Sequence, residues 1–446
     1  MKSWPIATSS VDCSEHRGAE LHIGIFKFNH IGDVLLLTPL LRTLRRHFPD
    51  ARIAVMVNDD TAAALHGNPD LDRLLVYPRA HIKSKPKWQQ LLLEFRLAMK
   101  IRHLALDMAF TLTNGDRGLL YAWFSRAAIR TGFAKRQWKP FSWRKKALTH
   151  GMTPDIGDHQ VIRQLKLLEK VGIPFDLNER MRLEISPEDA DWATKHGREV
   201  GSWARMIVVH PVAKRLLKCW EPGKFARLID WLQEEVEIQV VVTCGQASQE
   251  REYAKEMLAL CRTRPNSFLG NIAFGQLAAI IAQCDLFIGI DTAPMHMAAA
   301  LDRPVVALFG PTSRYWIPWC RHFAVIRGKC LCNTKRRIGH ERFSDGLADR
   351  IGLFVLEGTD DGVRRFTLDQ RYQGTTMAFA AHRVAFPVTK TAFSVNDSRA
   401  LIHRHPLWNP VSLLLGKLRV THPCSSYFGR YEKATMLLRL ASLPTL

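Results

Sequence analysis

From residue 21 onward the chain alternates short apolar, β-branched runs with longer stretches of helical spacing, and after residue 205 the alternation starts afresh. This pattern leaves little freedom of fold. Buried strands that alternate with helices pair in parallel, because each helix is the crossover that returns the chain to the same end of the sheet, and such crossovers are right-handed. The first round reads as strands at 21–28, 51–58, 73–78 and 104–112, with helices at 34–48, 87–103 and 159–173. The second reads as strands at 205–211, 236–245, 285–290 and 304–310, with helices at 221–235, 248–261, 273–284 and 295–301. At 446 residues the natural division is into two domains. We read a leader at 1–20, a doubly wound α/β domain at 21–175, a polar and aperiodic linker at 176–204, a second doubly wound domain at 205–335, and a tail at 336–446 with no stable period and no assigned fold. Two such domains in tandem face a cleft, and ligands sit beyond the carboxyl ends of the strands.

Charge narrows the partners. Lys and Arg number 63 against 42 Asp and Glu, a net +21. A field of that sign attracts nucleic acid, an anionic membrane or a phosphorylated substrate, and a solvated basic surface produces it equally well. The basic residues do not interleave with aromatics in any repeat, as stacking of bases in a groove requires, which argues against nucleic acid. Nine cysteines are scattered along the chain, several inside strand or helix patterns. An odd, scattered set fits a reducing cytosol rather than a disulfide framework. Cys330, Cys332 and His340 have metal-ligating side chains, but no second pair stands at zinc spacing. The first 20 residues lack the apolar core of a signal peptide, and no run of 18 apolar residues occurs.

Every candidate functional residue lies where a strand hands over to a helix. After the first strand, "NHIGDV" places Asp33 at a helix start behind Gly32. Asp33 is there either as a cap or as a general base facing the cleft. After strand 205–211, Lys214, Arg215 and Lys218 cluster ahead of a helix. They form either a solvated basic loop or, with the helix N-terminus, a phosphate site. In "TCGQASQERE", Gly245 allows a turn and Ser248 is placed to cap a helix. Glu250 is either an acid facing a ribose, as acids after α/β strands are, or a first-turn glutamate favoured by the helix dipole. The densest stretch is "IGIDTAPMHMAAALDRPVVALFGPTS", residues 288–313. Its strand delivers Asp291 and Thr292 at the carboxyl end, and Pro294 suits a first helical turn. Ala298, Ala299 and Ala300 let that helix pack closely on the sheet, with the Thr292 hydroxyl and the free N–H groups directed where an anion would sit. His296 on the same helix is either part of that site or a satisfied core histidine. "FGPT" then makes a second tight turn at the same edge.

Three motifs, "IGDVLLLTPLLRTLRRHFPDARI", "HPVAKRLLKCWEPGKFARLI" and "IGIDTAPMHMAAALDRPVVALFGPT", stand in the order and spacing of the ADP-heptose:lipopolysaccharide heptosyltransferase family. The chain resembles that family, glycosyltransferase family 9, over about residues 21 to 330. Lys218-Cys219-Trp220, with Trp316 and Trp319, is most similar to its heptosyltransferase III branch. The resemblance implies a GT-B fold of two Rossmann-like domains facing a cleft. It implies an inverting transferase that moves a heptose from ADP-heptose to the lipopolysaccharide inner core, cytoplasmic and peripheral on the inner membrane. The implied partners are a nucleotide-sugar donor, the lipopolysaccharide core acceptor and the anionic membrane surface, with no nucleic acid, no cofactor and no essential metal. Carried over by position, it implies Asp33 as catalytic base and Lys218 on the donor phosphates. It places Asp291, Thr292, Ala293 and His296 in the donor-binding motif, and Glu250 on the donor ribose. The chain departs from the family in having Ala293 and Pro294 where a glycine commonly follows the acid and hydroxyl. Val212 and Ala213 stand where some members carry hydroxyl residues, and the tail is unlike the family's short end.

In the implied reaction Asp33 takes the proton of an acceptor hydroxyl, which displaces the diphosphate at the anomeric carbon with inversion. Lys218 and the helix start at 292–296 meet the charge that develops on the departing diphosphate, and domain closure excludes water. Arg42, Arg45, Arg46, Lys83, Lys85 and Lys87 are the basic residues expected to meet the membrane. Two neighbouring readings remain: a transferase of another nucleotide-sugar to lipopolysaccharide or another glycan, and an inactive relative that only binds.

Overall fold

The computed structural model describes residues 20–327, apart from 114, 136, 139–141, 156, 198–204, 235–237 and 310–313. In the first half, β1 (His22–Lys27), β2 (Arg52–Asn58), β3 (Arg73–Tyr77), β4 (Met108–Thr111), β5 (Ile129–Phe133) and β6 (His150–Met152) form one parallel sheet in the order β3-β2-β1-β4-β5-β6. Its helices are α1 (Ile31–Leu35), α2 (Thr38–His47), α3 (Arg79–Lys83), α4 (Lys87–Arg102), α5 (Asp116–Ser125), α6 (Trp143–Ala147) and α7 (Gln160–Glu169). The second half opens with α8 (Pro187–His196) and continues with β7 (Met206–His210), β8 (Gln239–Cys244), β9 (Asn266–Leu269), β10 (Leu286–Ile290), β11 (Val305–Phe309) and β12 (Phe323–Arg327). These strands pair in parallel in the order β12-β11-β10-β7-β8-β9. Between them run α9 (Pro222–Glu234), α10 (Ser248–Ala259), α11 (Phe274–Gln283) and α12 (Ala293–Ala300).

Both sheets therefore have one topology, and in each the strand order reverses between the first and fourth strands. Those switch points, β1/β4 and β7/β10, are where a doubly wound sheet opens a ligand crevice. The expected α/β fold is present in both halves. Strands covered by helices on both faces must be apolar throughout, and β7 (MIVVH), β8 (QVVVTC) and β10 (LFIGI) are buried along their whole length.

Three local expectations change. The single helix expected at 34–48 is two helices, α1 and α2. Pro39 has no N–H and its ring crowds the carbonyl four residues back; the Thr38 hydroxyl takes over that Leu35 carbonyl at 2.8 Å. The segment 176–204, expected to be irregular, contains α8. Its Ser186 side chain caps the helix by accepting from the Asp189 N–H at 3.1 Å, and Pro187 fills the first turn. Finally, Arg42 and Arg46 both pair with buried Glu179, and Arg45 pairs with Asp72 at 2.6 Å. These three arginines, among the residues expected to meet a membrane, share two carboxylates of the fold, Glu179 and Asp72.

The two halves share one apolar core that runs from Val34, Leu35 and Leu37 to Met295, Met297 and Ala298. α1 packs directly on α12, and the approach is possible because residue 32 is glycine: a Cβ there would lie 2.7 Å from His296 Cδ2. His296 is buried. Overpacking of this kind costs about 1–3 kcal/mol, more than the about 0.5–1 kcal/mol that alanine gains over glycine in a helix. Gly32→Ala is therefore expected to lower the unfolding temperature, and Gly32→Ala/His296→Ala to recover part of the loss relative to His296→Ala alone. Equal melting of Gly32→Ala and wild type would contradict this packing.

Candidate active site

On the first domain, Asp33 sits in the first turn of α1, at the switch point of the sheet. It is not the cap; that position is His30, whose side chain makes no capping bond. The Asp33 carboxylate instead turns toward the second domain, where Trp316 Nε1 donates to its Oδ1 at 3.4 Å. Behind it, Lys27 Nζ lies 4.0 Å from the same oxygen. Lys27 is a lysine in the middle of the sheet, fully buried, and donates to the Leu112 carbonyl at the end of β4 at 3.2 Å. Burial pushes the Lys27 ammonium below the usual lysine range, and the Asp33 carboxylate pulls it back up. One cation thus ties the two loops of the first switch point together beneath the acid.

On the second domain, the loop after β7 and the start of α12 meet across the other switch point. Lys218 Nζ donates to Asp291 Oδ2 at 2.8 Å and to the Asp291 carbonyl at 3.2 Å. Lys214 and Arg215, grouped with it in sequence, point to solvent. Cys219 and Trp220 anchor the loop. The Ala213 N–H bonds to Cys219 Sγ at 3.3 Å, and Trp220 is buried with its carbonyl accepting from the Tyr253 hydroxyl. Thr292 is the N-cap of α12 in extended conformation, but its hydroxyl donates to the Ile290 carbonyl instead of capping. The first-turn N–H groups of Ala293 and Met295 have no helical acceptor, and Pro294 contributes no donor. The Lys218–Asp291 pair and these free amides stand at the strand ends, where an anion can be met.

His296 stands between the two halves, against Gly32 and within the electrostatic reach of Asp33, Asp291 and Lys218. Burial holds its pKa below the usual histidine range. Asp291 and Asp33 oppose that push, and Lys218 adds to it. Its Nδ1 is buried without a hydrogen-bond partner. His296 is thus not a satisfied core histidine: one ring nitrogen is left without a partner between the two halves.

A second histidine closes the joint. His159, at the start of α7, stacks on Trp319 with ring centroids 4.8 Å apart. Its Nδ1 accepts from the Val161 N–H at 3.2 Å, which leaves Nε2 to donate to the Ile317 carbonyl at 3.0 Å. Trp319 Nε1 in turn donates to the Glu179 carbonyl at 2.8 Å. Burial pushes the His159 pKa down to about 3, and burial also pushes that of His210 in β7 down to about 4. A lowered folded-state pKa means that the unfolded chain binds more protons below about pH 6.5. The stabilisation is therefore complete above pH 6.5 and declines as pH falls toward the folded values, by about 1.4 kcal/mol per pH unit for each histidine. Thermal unfolding from pH 7 to pH 4 is expected to show a falling midpoint, with a shallower slope in His159→Gln. An unchanged slope would contradict the neutral, wedged imidazole.

Glu250 stands apart from this cluster. The helix cap is Ala247, not Ser248, and the Glu250 carboxylate folds back over Gly245 to accept the Ala247 N–H at 3.3 Å. It occupies the end of β8, next to β7, as a first-turn acid. The turn at 310–313, Cys330, Cys332, His340 and the tail at 336–446 lie outside the described residues. Among the described residues, no group of three His, Cys, Asp or Glu side chains has metal-binding geometry. The structure adds Lys27, Trp316 and His159 to the site.

The comparisons with known proteins agree with this fold. The family model described as Glycosyltransferase family 9 (heptosyltransferase) matches residues 94–341. Lipopolysaccharide heptosyltransferase 3 of Escherichia coli K12 is 33% identical over 293 residues, covering 65% of this chain and 82% of that protein. Lipopolysaccharide heptosyltransferase 2 of the same organism is 28% identical over 347 residues, covering 73% and 94%. Among solved structures, a family 9 glycosyl transferase from Veillonella parvula matches with a TM-score of 0.60 at 24% identity, covering 69% of this chain and 86% of that one. E. coli heptosyltransferase WaaC with ADP matches with a TM-score of 0.59 at 17% identity, covering 76% and 99%. At those identities the structural likeness speaks to the fold, which is GT-B. With a family model spanning more than half its length and a relative at 33% identity, the chain belongs to glycosyltransferase family 9, the heptosyltransferases.

Proposed function

We propose that this glycosyltransferase moves a heptose from ADP-heptose to a sugar hydroxyl of the lipopolysaccharide inner core, with inversion, at the cytoplasmic surface of the inner membrane. The observation that carries the reading is the placement of an acid and a cation on opposite sides of one cleft. Asp33 of the first domain and the Lys218–Asp291 pair of the second both face His296. The curated relatives supply the substrate class, since they bear the name lipopolysaccharide heptosyltransferase.

In this reading the donor diphosphate lies over the start of α12. Lys218 and the Ala293 and Met295 N–H groups stabilise the charge that grows on it as the anomeric bond breaks. Glu250, which caps its own helix at the end of β8, would take the ribose only by exchanging the Ala247 N–H for a ribose hydroxyl. The acceptor enters from the first domain, and Asp33 takes the proton of the attacking hydroxyl. Lys27 behind Asp33 holds the carboxylate in place, and Trp316 couples that placement to the second domain. Lys218 and the amides meet the diphosphate charge themselves, so the transfer rate is expected to be the same with and without a chelator.

Calorimetric titration of ADP-heptose, ADP-glucose and UDP-glucose into the full chain, with and without EDTA, tests the donor. ADP-heptose is expected to bind at least tenfold more tightly than the others. Preference for another nucleotide-sugar would overturn the donor assignment.

A further inference from the structure

The outward face of α4 carries apolar side chains where a soluble helix carries polar ones. Trp88, Leu91, Leu92 and Phe95 follow the spacing of one helix face, yet this face looks outward: Trp88 is 67% exposed, Leu91 73% and Phe95 54%. The inward face is held by Leu93, Leu97 and Ile101. α5, which packs beside α4, repeats the inversion with Leu120, Trp123 and Phe124 exposed at the same spacing. Scattered exposed apolar residues need no explanation, but a stripe repeated on two adjacent helices does.

The surround is basic. Residues 79–146 hold sixteen Lys and Arg against three Asp and Glu, which accounts for thirteen of the chain's net charge of +21. All three acids are engaged within the fold. Glu94 accepts from the Tyr77 and Tyr121 hydroxyls at 2.5 and 2.6 Å, Asp107 accepts the His22 N–H, and Asp116 is paired with Arg144. Among the described residues, no acid lies within ion-pair distance of Lys83, Lys85, Lys87, Arg96 or Lys100. An apolar stripe with tryptophan, rimmed by unpaired cations, has the chemistry of a helix that lies in the headgroup region of an anionic bilayer. No helix among the described residues is long and apolar enough to cross a membrane.

We infer that the outer face of α4 and α5 docks on an anionic lipid bilayer, with Trp88, Leu91 and Phe95 entering the interface and Lys83, Lys85 and Lys87 meeting headgroup phosphates. The inference deepens the proposed function and rests on it for the nature of the acceptor. α3 and the start of α4 follow the carboxyl end of β3, the sheet edge that also carries Asp33 after β1. Docking there presents a lipid-anchored acceptor to the base. The surface thus lies on α4, not on the arginines of α2.

The test uses the full chain sedimented with vesicles of phosphatidylethanolamine and phosphatidylglycerol, and with phosphatidylcholine vesicles. Wild type is compared with Trp88→Ser/Leu91→Ser/Phe95→Ser and with Lys83→Glu/Lys85→Glu/Lys87→Glu, each also titrated with ADP-heptose. Wild type is expected to bind the anionic vesicles at least tenfold more tightly than the neutral ones, and each variant to lose at least tenfold while keeping wild-type ADP-heptose affinity. If the serine variant does not fold, the glutamate variant, altered at water-accessible side chains, decides alone. Wild type that ignores anionic vesicles, variants that bind as wild type does, or a dimer split by the serine substitutions without vesicle binding would each overturn the inference. Vesicle binding without ADP-heptose binding would support this face and overturn the donor assignment instead.

Discussion

Asp33→Asn is expected to lower the turnover number for heptose transfer by about 10²–10⁴-fold, the usual share of a general base, with ADP-heptose affinity unchanged. The substitution keeps the shape of the side chain and removes its basicity. It spares α1, because Asp33 is not the cap of that helix. It also spares the donor side, because the Lys218–Asp291 pair lies on the other domain. Trp316 Nε1 retains an oxygen to donate to. The secondary effect falls on Lys27, whose burial is no longer opposed by a neighbouring carboxylate. Single-turnover rates and calorimetric affinities separate the two roles. Equal loss in rate and affinity would mean that Asp33 shapes the site rather than acting on the acceptor.

Lys218→Ala is the second large effect, and it falls on binding. The Lys218 ammonium makes a charge-assisted bond to Asp291 in the free protein, and in the proposed complex it meets the diphosphate. Removing it leaves Asp291, which is 8% exposed, as an uncompensated carboxylate facing the incoming phosphates. Affinity for ADP-heptose is expected to fall by about 10–100-fold, or about 1.4–2.8 kcal/mol. Lys218→Ala/Asp291→Ala is expected to recover part of it, because the repulsion goes with the acid. The coupling from the four-protein cycle measures the pair directly. Additive losses would show that the two residues do not act together.

The parallel sheets were legible because burial on both faces forces continuous apolar runs, as in β7, β8 and β10. The break between α1 and α2 was also written in the chain, at Thr38-Pro39. α8 was missed although Ser186-Pro187-Glu188-Asp189 spells a capped helix start. It lies at the domain edge with Ala193 its one fully buried residue, so its apolar period is weak. β6 (HGM) and β9 (NSFL) are short edge strands whose pairing, not composition, makes them strands. That Asp33, Lys218, Asp291 and His296 would meet was legible because parallel topology sends the strand ends of each sheet to one edge; the Thr292 hydroxyl, expected to face an anion, instead bonds the Ile290 carbonyl. The roles of equivalent-looking acids were not legible. Asp33 faces the cleft while Glu250 caps its own helix, and only tertiary geometry separates the two. Lys27 carried a signal, a lysine inside an apolar strand; Trp316, which reaches Asp33 from 283 residues away, carried none beyond its motif.

The most direct measurement incubates the full chain with ADP-heptose and a heptose-deficient lipopolysaccharide core, then follows ADP release, product mass and anomeric configuration by NMR. The account predicts one added heptose per acceptor with inverted configuration, one ADP released for each, and neither in Asp33→Asn. Donor hydrolysis without transfer, retained configuration, or full transfer by Asp33→Asn would contradict a single displacement across this cleft.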